Sequence, residues 1–319
     1  MRHLPFLLGL TVAACSSSPS PPSDAGVDAS PSTTLPSATG PGRFTLAGRS
    51  EDAIQVVLPA NRAAHPPLVL AFHGTGGEPI DAVDGFDLVT KAASLGFVVI
   101  APRAGYRSGI HPADVDHAEN DGGSSWNMWT ANPAQNDDLL YLRALIDAAK
   151  ASWGVDTTRV YTIGFSNGAF FSYFAAASMP DRIAGFAENS GGWMSDACPT
   201  RTDTNGTSLY LLTTNPPAGQ DVTCATLTAD PKFPPACRPS ASNKLRPPSG
   251  TRVPFGYIGH YSADDTVSVV WSCVLAEGLG ARAQTRIRGS DLDGTTGHAT
   301  MPGFIDAAWA FFAGRTTAD

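Results

Sequence analysis

The chain has 319 residues, 42% of them hydrophobic, enough to bury a sizeable core in one large α/β domain or two small ones. Its formal net charge of −8 repels phosphate backbones and argues against a nucleic-acid partner. No run of about 20 apolar residues is present, which excludes a membrane-spanning helix.

Chain order begins with a targeting segment rather than structure. Arg2 gives a positive start, Leu4 to Val12 is a short apolar run interrupted by Pro5, and Val12-Ala13-Ala14-Cys15 follows. Small residues before a cysteine resemble a lipobox, which implies a signal peptide over residues 1–14, cleavage before Cys15 and lipidation of its thiol. The membrane would then be met only through that anchor, and the protein would be exported, to the cell surface, an outer membrane or the medium. Residues 15–43 are dominated by Ser, Pro, Ala, Thr and Asp, bury too little surface to offset their ordering entropy, and read as a disordered tether.

A catalytic domain is expected over residues 44–315. Ala53 to Leu58 reads as a strand. Pro67 to Phe72 (PLVLAF) is a continuous apolar run, the pattern of a central strand buried on both faces, and Gly74, Gly76 and Gly77 follow it at once. Asp81 to Leu95 reads as one helix ended by Gly96, and Phe97 to Ala101 as a second buried strand. After a long loop, Asn136 is placed to cap a helix running to Trp153. Val160 to Gly164 and Ile183 to Ala187 read as strands around a helix from Gly168 to about Ser178. Residues 194–252 form an irregular insertion, rich in Pro, Thr and Asn, with one strand-like piece at Ser208 to Thr213, expected to lie over one end of the sheet. Then come a strand at Pro254 to Gly259, a helix around Val267 to Leu279, a strand at Gln284 to Arg288 and a helix from about Gly303 to Ala313. Strand–helix alternation of this kind predicts an α/β fold with a mostly parallel sheet and helices on both faces. If Cys15 is lipidated, four cysteines remain, and export permits disulfides. Cys224 and Cys237, which bracket a short Pro-rich loop, are the preferred pair.

Chemistry concentrates at Gly164-Phe165-Ser166-Asn167-Gly168. A serine at a sharp strand-to-helix turn presents its hydroxyl above the sheet edge, and side chains two residues to either side would collide with the turn. The hydroxyl needs a base. In the α/β-hydrolase order of serine, acid, histidine, His298 in the Gly294 to Gly303 loop fits. His260 precedes the best acids and reads as a packed strand-end residue. Asp264 and Asp265 are equal candidates for the acid by spacing, the other being free to cap the following helix, with Asp291 and Asp293 weaker. Backbone N–H groups of Asn167 and of the His73-Gly74-Thr75-Gly76-Gly77 turn, Thr75 foremost, are the expected oxyanion donors.

The stretch VDTTRVYTIGFSNGAFFSYFAAASMPDRIAGFAENS from Val155 to Ser190, the Asp137-Asp138-Leu139 and Arg143-Ala144-Leu145-Ile146-Asp147 helix, the Trp126-Asn127-Met128-Trp129 loop, HYSADDTV and GHATMPG together resemble polyhydroxybutyrate depolymerases and feruloyl or acetylxylan esterases of the α/β-hydrolase fold. The resemblance runs from about Ala53 to Phe312 apart from the insertion. It implies a serine esterase with Ser166, Asp264 and His298 as triad, acting on a small or polymeric ester through an acyl-enzyme and without a cofactor. Ala299, Thr300 and Met301 replace the family's Trp beside the histidine, Thr75 stands where depolymerases often carry Cys, Ala169 replaces a Gly and Tyr261 another. Trp126 and Trp129 are the candidate substrate-binding aromatics. The acidic loop His111 to Asp121 matches no metal signature and reads as a solvated surface loop. A serine peptidase of the same fold, or a surface binding protein on a decayed hydrolase core, are the other readings.

Overall fold

The computed structural model describes residues 35, 42–47, 53–107, 124–128, 133–193, 216–231, 233, 237, 252–289 and 297–319. The segments read as signal peptide and most of that read as tether, the 111–121 loop, Trp129, Cys198, the 208–213 piece, Asp291 and Asp293 lie outside them.

Among these residues nine strands make one sheet, in the order β1 (Gly42–Ala47), β2 (Ala53–Leu58), β4 (Val98–Pro102), β3 (Leu68–Phe72), β7 (Val160–Phe165), β8 (Gly185–Asn189), β10 (Phe255–Tyr261), β11 (Ala283–Arg288) and β9 (Asp221–Val222). The six strands from β4 to β11 run parallel, while β1, β2 and β9 are antiparallel to their neighbours. A separate two-residue pair joins β5 (Tyr106–Arg107) to β6 (Ser124–Ser125). This is the mostly parallel, helix-flanked sheet that the strand–helix alternation anticipated, in the α/β-hydrolase arrangement that the resemblance implied.

Why the central strands read as unbroken apolar runs is visible in the two cores. Leu68, Leu70 and Phe72 point to one face with Val98 and Ile100, against α3 (Asp137–Trp153) and α4 (Asn167–Ser178). Val69 and Ala71 point to the other with Val99 and Ala101, against α1 (Pro79–Gly85), α2 (Leu88–Leu95) and α7 (Phe304–Phe312). Alternate residues thus serve opposite cores, each large aliphatic contributing about 1.5–3 kcal/mol by burial. Asn136 caps α3 as expected, its Oδ1 accepting from Leu139 N at 3.1 Å.

Three expectations need correction. The helix read over Asp81 to Leu95 is two helices, because Asp87 adopts φ 51° and breaks the axis between them. Cys224 pairs with Cys273 rather than Cys237: Cys224 opens α5 (Cys224–Thr228), which packs on α6 (Val269–Leu279) and brings the two Cα atoms to 5.2 Å. Cys237 is in a disulfide as well. In the described part of the insertion, β9 extends the β11 edge of the sheet, so this stretch continues the sheet sideways. Among the described residues no helix is long and apolar enough to cross a membrane.

Strand order reverses between β3 and β7. After β3 the chain steps outward to β4 and then returns to the other side of β3, leaving a crevice at the carboxyl ends of β3 and β7. Open α/β sheets bind ligands at such a switch point.

Candidate active site

Ser166 leaves β7 and enters α4 with φ 55° and ψ −122°, one of three non-glycine residues with positive φ among those described. A side chain in this region costs about 1–3 kcal/mol and persists only where the surroundings enforce it. The enforcement is local. A Cβ on Gly164 would collide with the carbonyl of Gly168, and a Cβ on Gly168 with the carbonyl oxygens of Phe72 and His73 at the end of β3. The elbow is therefore pressed against the neighbouring strand, and only glycine fits. Gly168→Ala should cost about 3 kcal/mol by overpacking, lowering Tm by about 6–12 °C. Gly85→Ala, where an added methyl meets nothing within 4 Å, should leave Tm unchanged or slightly raised; equal melting of the two variants in a calorimeter would contradict this packing.

The His73–Gly77 turn borders Ser166: a Cβ at Gly74 would lie 3.4 Å from that of Ser166. The turn is closed by Gly77 N donating to Gly74 O at 3.1 Å and leaves Thr75 exposed. Buried His73 braces it, with Nδ1–H donating to Gly74 O at 2.7 Å and Nε2 accepting from Ala104 N at 3.1 Å. Burial lowers the His73 pKa and keeps the ring neutral, as an accepting Nε2 requires. Asn167 opens α4, where the N–H has no intrahelical acceptor and the helix dipole favours negative charge. Its side chain has a second task, Oδ1 accepting from Trp126 N at 2.9 Å.

Trp126 itself departs from expectation. Its indole is fully buried, stacked on Phe171 at 4.7 Å and tilted against Phe72 at 4.7 Å, with Nε1–H donating to His73 O at 2.9 Å. Withdrawn from solvent in this way, it supports the turn from beneath rather than lining a pocket.

His298 and Asp264 meet beside the elbow. His298 Nδ1 lies 2.8 Å from Asp264 Oδ2, and the imidazole packs on the ring of Phe165, the residue before Ser166, at 4.7 Å. Gly297 permits this approach: at φ 77° it lies so close to Ala263 and Asp264 that a Cβ would come to 3.0 Å from Asp264 N. Of the two aspartates that spacing left equal, Asp264 is the one the structure brings to His298. Its carboxylate is buried, with Oδ1 accepting from Thr266 N and Val267 N at 3.0 and 2.9 Å, whereas Asp265 is exposed. Neither aspartate caps the next helix; Ser268 does, accepting from Val270 N. Burial alone would push the Asp264 carboxyl up, but hydrogen bonds and charge from His260 and His298 outweigh it and hold it well below the carboxylate range.

One structural residue was not visible in the sequence. Asn189, at the end of β8, accepts from Ser166 N at 3.1 Å through its backbone oxygen. Its side chain donates to Ala299 O at 3.0 Å and accepts from Met301 N at 2.8 Å. The elbow and the His298 loop are thus fastened to one asparagine, the first through its backbone and the second through its side chain, and no local motif announces an encounter between segments so distant in the chain.

No family model matches the chain. It is 34% identical over 138 residues to a bifunctional acetylxylan esterase/xylanase, XynS20E, of Neocallimastix patriciarum, spanning 43% of this chain and 18% of that protein. It is 27% identical over 136 residues to feruloyl esterase B of Talaromyces stipitatus, spanning 43% of this chain and 35% of that one. The chain therefore spans well under half the length of these curated relatives. Among solved structures, an acetyl xylan esterase from Aspergillus awamori superposes with a TM-score of 0.56 at 17% identity, over 85% of this chain and all of that one, a likeness of fold.

Proposed function

We propose that this chain, a relative of the feruloyl and acetylxylan esterases on the α/β-hydrolase fold, is a serine esterase. The observation that carries the reading is the His298 imidazole held 2.8 Å from the Asp264 carboxylate and packed at a tilt against the ring of the residue preceding a strained Ser166. Ser166 Oγ attacks the ester carbonyl while His298 takes its proton. The carbonyl oxygen gains negative charge and is held by the N–H groups of Asn167 and Thr75. Collapse expels the alcohol, which receives the proton from His298. Water, activated by the same imidazole, then releases the acid and restores Ser166. Asp264 keeps the Nδ1 proton in place and balances the imidazolium.

For substrate class we favour acetyl or feruloyl esters carried on polysaccharide, the chemistry named for the relatives above. The missing Trp beside His298 removes an aromatic clamp and counts against a polyester. Export and lipidation at Cys15 belong to the same proposal, since an enzyme for polymeric esters must work outside the cell. The test is one expression series. Cells carrying the full chain should hydrolyse p-nitrophenyl acetate and release acetate or ferulate from substituted xylan, with little product from polyhydroxyalkanoate films. Activity should sediment with membranes and become soluble in Cys15→Ser. Folded protein with no ester turnover would refute the enzyme reading, and product from polyester alone would refute the substrate class.

A further inference from the structure

Behind the site, His260 enters the interior at the end of β10 with no exposure at all. Its Nδ1 lies 2.7 Å from Ser272 Oγ on α6, and its Nε2 lies 2.8 Å from Val267 O and 3.3 Å from Asp264 Oδ2. Ser272 Oγ in turn lies 2.8 Å from Glu188 Oε1 on β8 and 3.2 Å from Gly191 O. Glu188 Oε2 accepts from Gly191 N at 2.7 Å. A file of polar contacts thus runs Glu188, Ser272, His260, Asp264, His298, hydrogen-bonded at every step except His260 to Asp264, where Nε2 stands 3.3 Å from the carboxylate beside its shorter bond to Val267 O, and its first four members are buried. A core position filled by Glu, Ser and His is costly unless every group is satisfied, and apolar side chains would fill the space more cheaply.

The proton arithmetic gives these residues a purpose. Suppose Glu188 is ionised: Ser272 donates to it and accepts from His260 Nδ1–H, so His260 is imidazolium. Suppose instead Glu188 is protonated: it donates to Ser272, which donates to a neutral His260 through Nδ1. The two forms differ by one proton passed through the Ser272 hydroxyl, with no change in net charge. In both, His260 carries a proton on Nε2, directed at Val267 O and Asp264 Oδ2. Only when the trio loses its shared proton does that donor fail, because Ser272 then donates to Glu188 and the single imidazole proton moves to Nδ1.

We infer that His260 is a positioning residue for the acid, kept protonated on Nε2 by Ser272 and Glu188 so that it fixes the Asp264 carboxylate against His298. The inference rests on the triad reading proposed above. The charged groups that face His260 are Asp264, from the loop after β10, and Glu188, from β8. Burial pushes the Glu188 carboxyl up to about 7, against the opposing pull of His260 and the hydrogen bonds from Ser272 and Gly191. Burial would lower His260, but the hydrogen bond and charge of Asp264, with the charge of Glu188, raise it. Both directions keep the shared proton in place through neutrality, and it is lost as pH rises.

Steady-state kinetics on p-nitrophenyl acetate from pH 5 to 10 test this. His260→Asn reaches Ser272 but offers Asp264 no donor; kcat should fall about 10-fold or more, with KM within about twofold and the acid limb displaced. His260→Gln places an amide N–H where Nε2 was and should recover kcat to within about threefold. Glu188→Gln cannot give up a proton, so the alkaline fall in kcat should vanish or move upward. If His260→Asn melts below the assay temperature, the Glu188→Gln profile decides alone, and an unchanged alkaline limb overturns the relay. Ser166→Ala separates the two readings. If it is inactive while His260→Asn and Glu188→Gln match the parent, the relay falls and the triad stands; if it stays active, the triad falls first.

Discussion

Ser166→Ala should lower kcat/KM for p-nitrophenyl acetate by about 10⁵- to 10⁶-fold, while Ser166→Gly, equally inactive, should melt higher than the parent. The two outcomes come from one backbone conformation. At φ 55° and ψ −122° the residue is held where L side chains are strained, because the Gly164 and Gly168 contacts leave the chain no other path between β7 and α4. Alanine keeps the Cβ and most of the strain but removes the nucleophile, so its Tm should stay close to the parent's. Glycine removes the strain as well. Relief of about 1–3 kcal/mol, less about 0.5–1 kcal/mol for the freer unfolded chain, leaves a net gain near 1 kcal/mol, or about 2–4 °C. Activity-based labelling with a fluorophosphonate completes the test: the parent should label and both variants should not. Retention of label in Ser166→Ala would locate the nucleophile elsewhere, and a Tm drop in Ser166→Gly would mean that the elbow stores no strain.

The parts of this arrangement that were legible in sequence are those specified locally. Leu68 to Phe72 reads as a buried strand because both faces of the strand are packed, so the run needs no polar interruption. The elbow is legible because its geometry admits glycine alone at two fixed offsets. The acid was not decided by spacing, since Asp264 and Asp265 sit side by side; burial and two backbone N–H groups separate them. What the sequence hid depends on distant segments meeting. The strand expected at Ile183 to Ala187 runs instead from Gly185 to Asn189, and Glu188 is the reason for the misreading. A carboxylate looks like the end of a buried strand, yet here it is satisfied inside by Ser272 and by Gly191 N. Trp126 looked like a pocket aromatic because aromatic area serves a core and a ligand site equally well. Cys224 finds Cys273 because a short helix at the insertion packs on α6, which loop length does not encode.

The same buried carboxylate pattern makes Asp264→Asn the second large effect. Asp264 meets four partners: Oδ1 receives Thr266 N and Val267 N, while Oδ2 faces His298 Nδ1 and His260 Nε2. An amide offers one accepting oxygen and one donating nitrogen. The two backbone N–H groups claim the oxygen, so the amide nitrogen turns to both imidazoles. His298 Nδ1 must then accept, its proton moves to Nε2, and the nitrogen needed to take the Ser166 proton is already occupied. A loss of about 10⁴-fold in kcat is expected for this wrong tautomer, with KM little changed, whereas the exposed Asp265→Asn should stay within about twofold of the parent. Stability carries a second signature. The Asp264 carboxyl is depressed in the folded state, so its contribution is complete above the unfolded value of about 3.9 and is lost as pH falls below it. Asp264→Asn should therefore melt below the parent by a constant margin from neutral pH down to about 4, and the gap should begin to narrow only below that, as pH falls toward the depressed folded value. A gap that stays constant there as well would mean that the folded carboxyl is not held down by its two imidazoles, and loss of activity in Asp265→Asn instead would move the acid to the neighbouring residue.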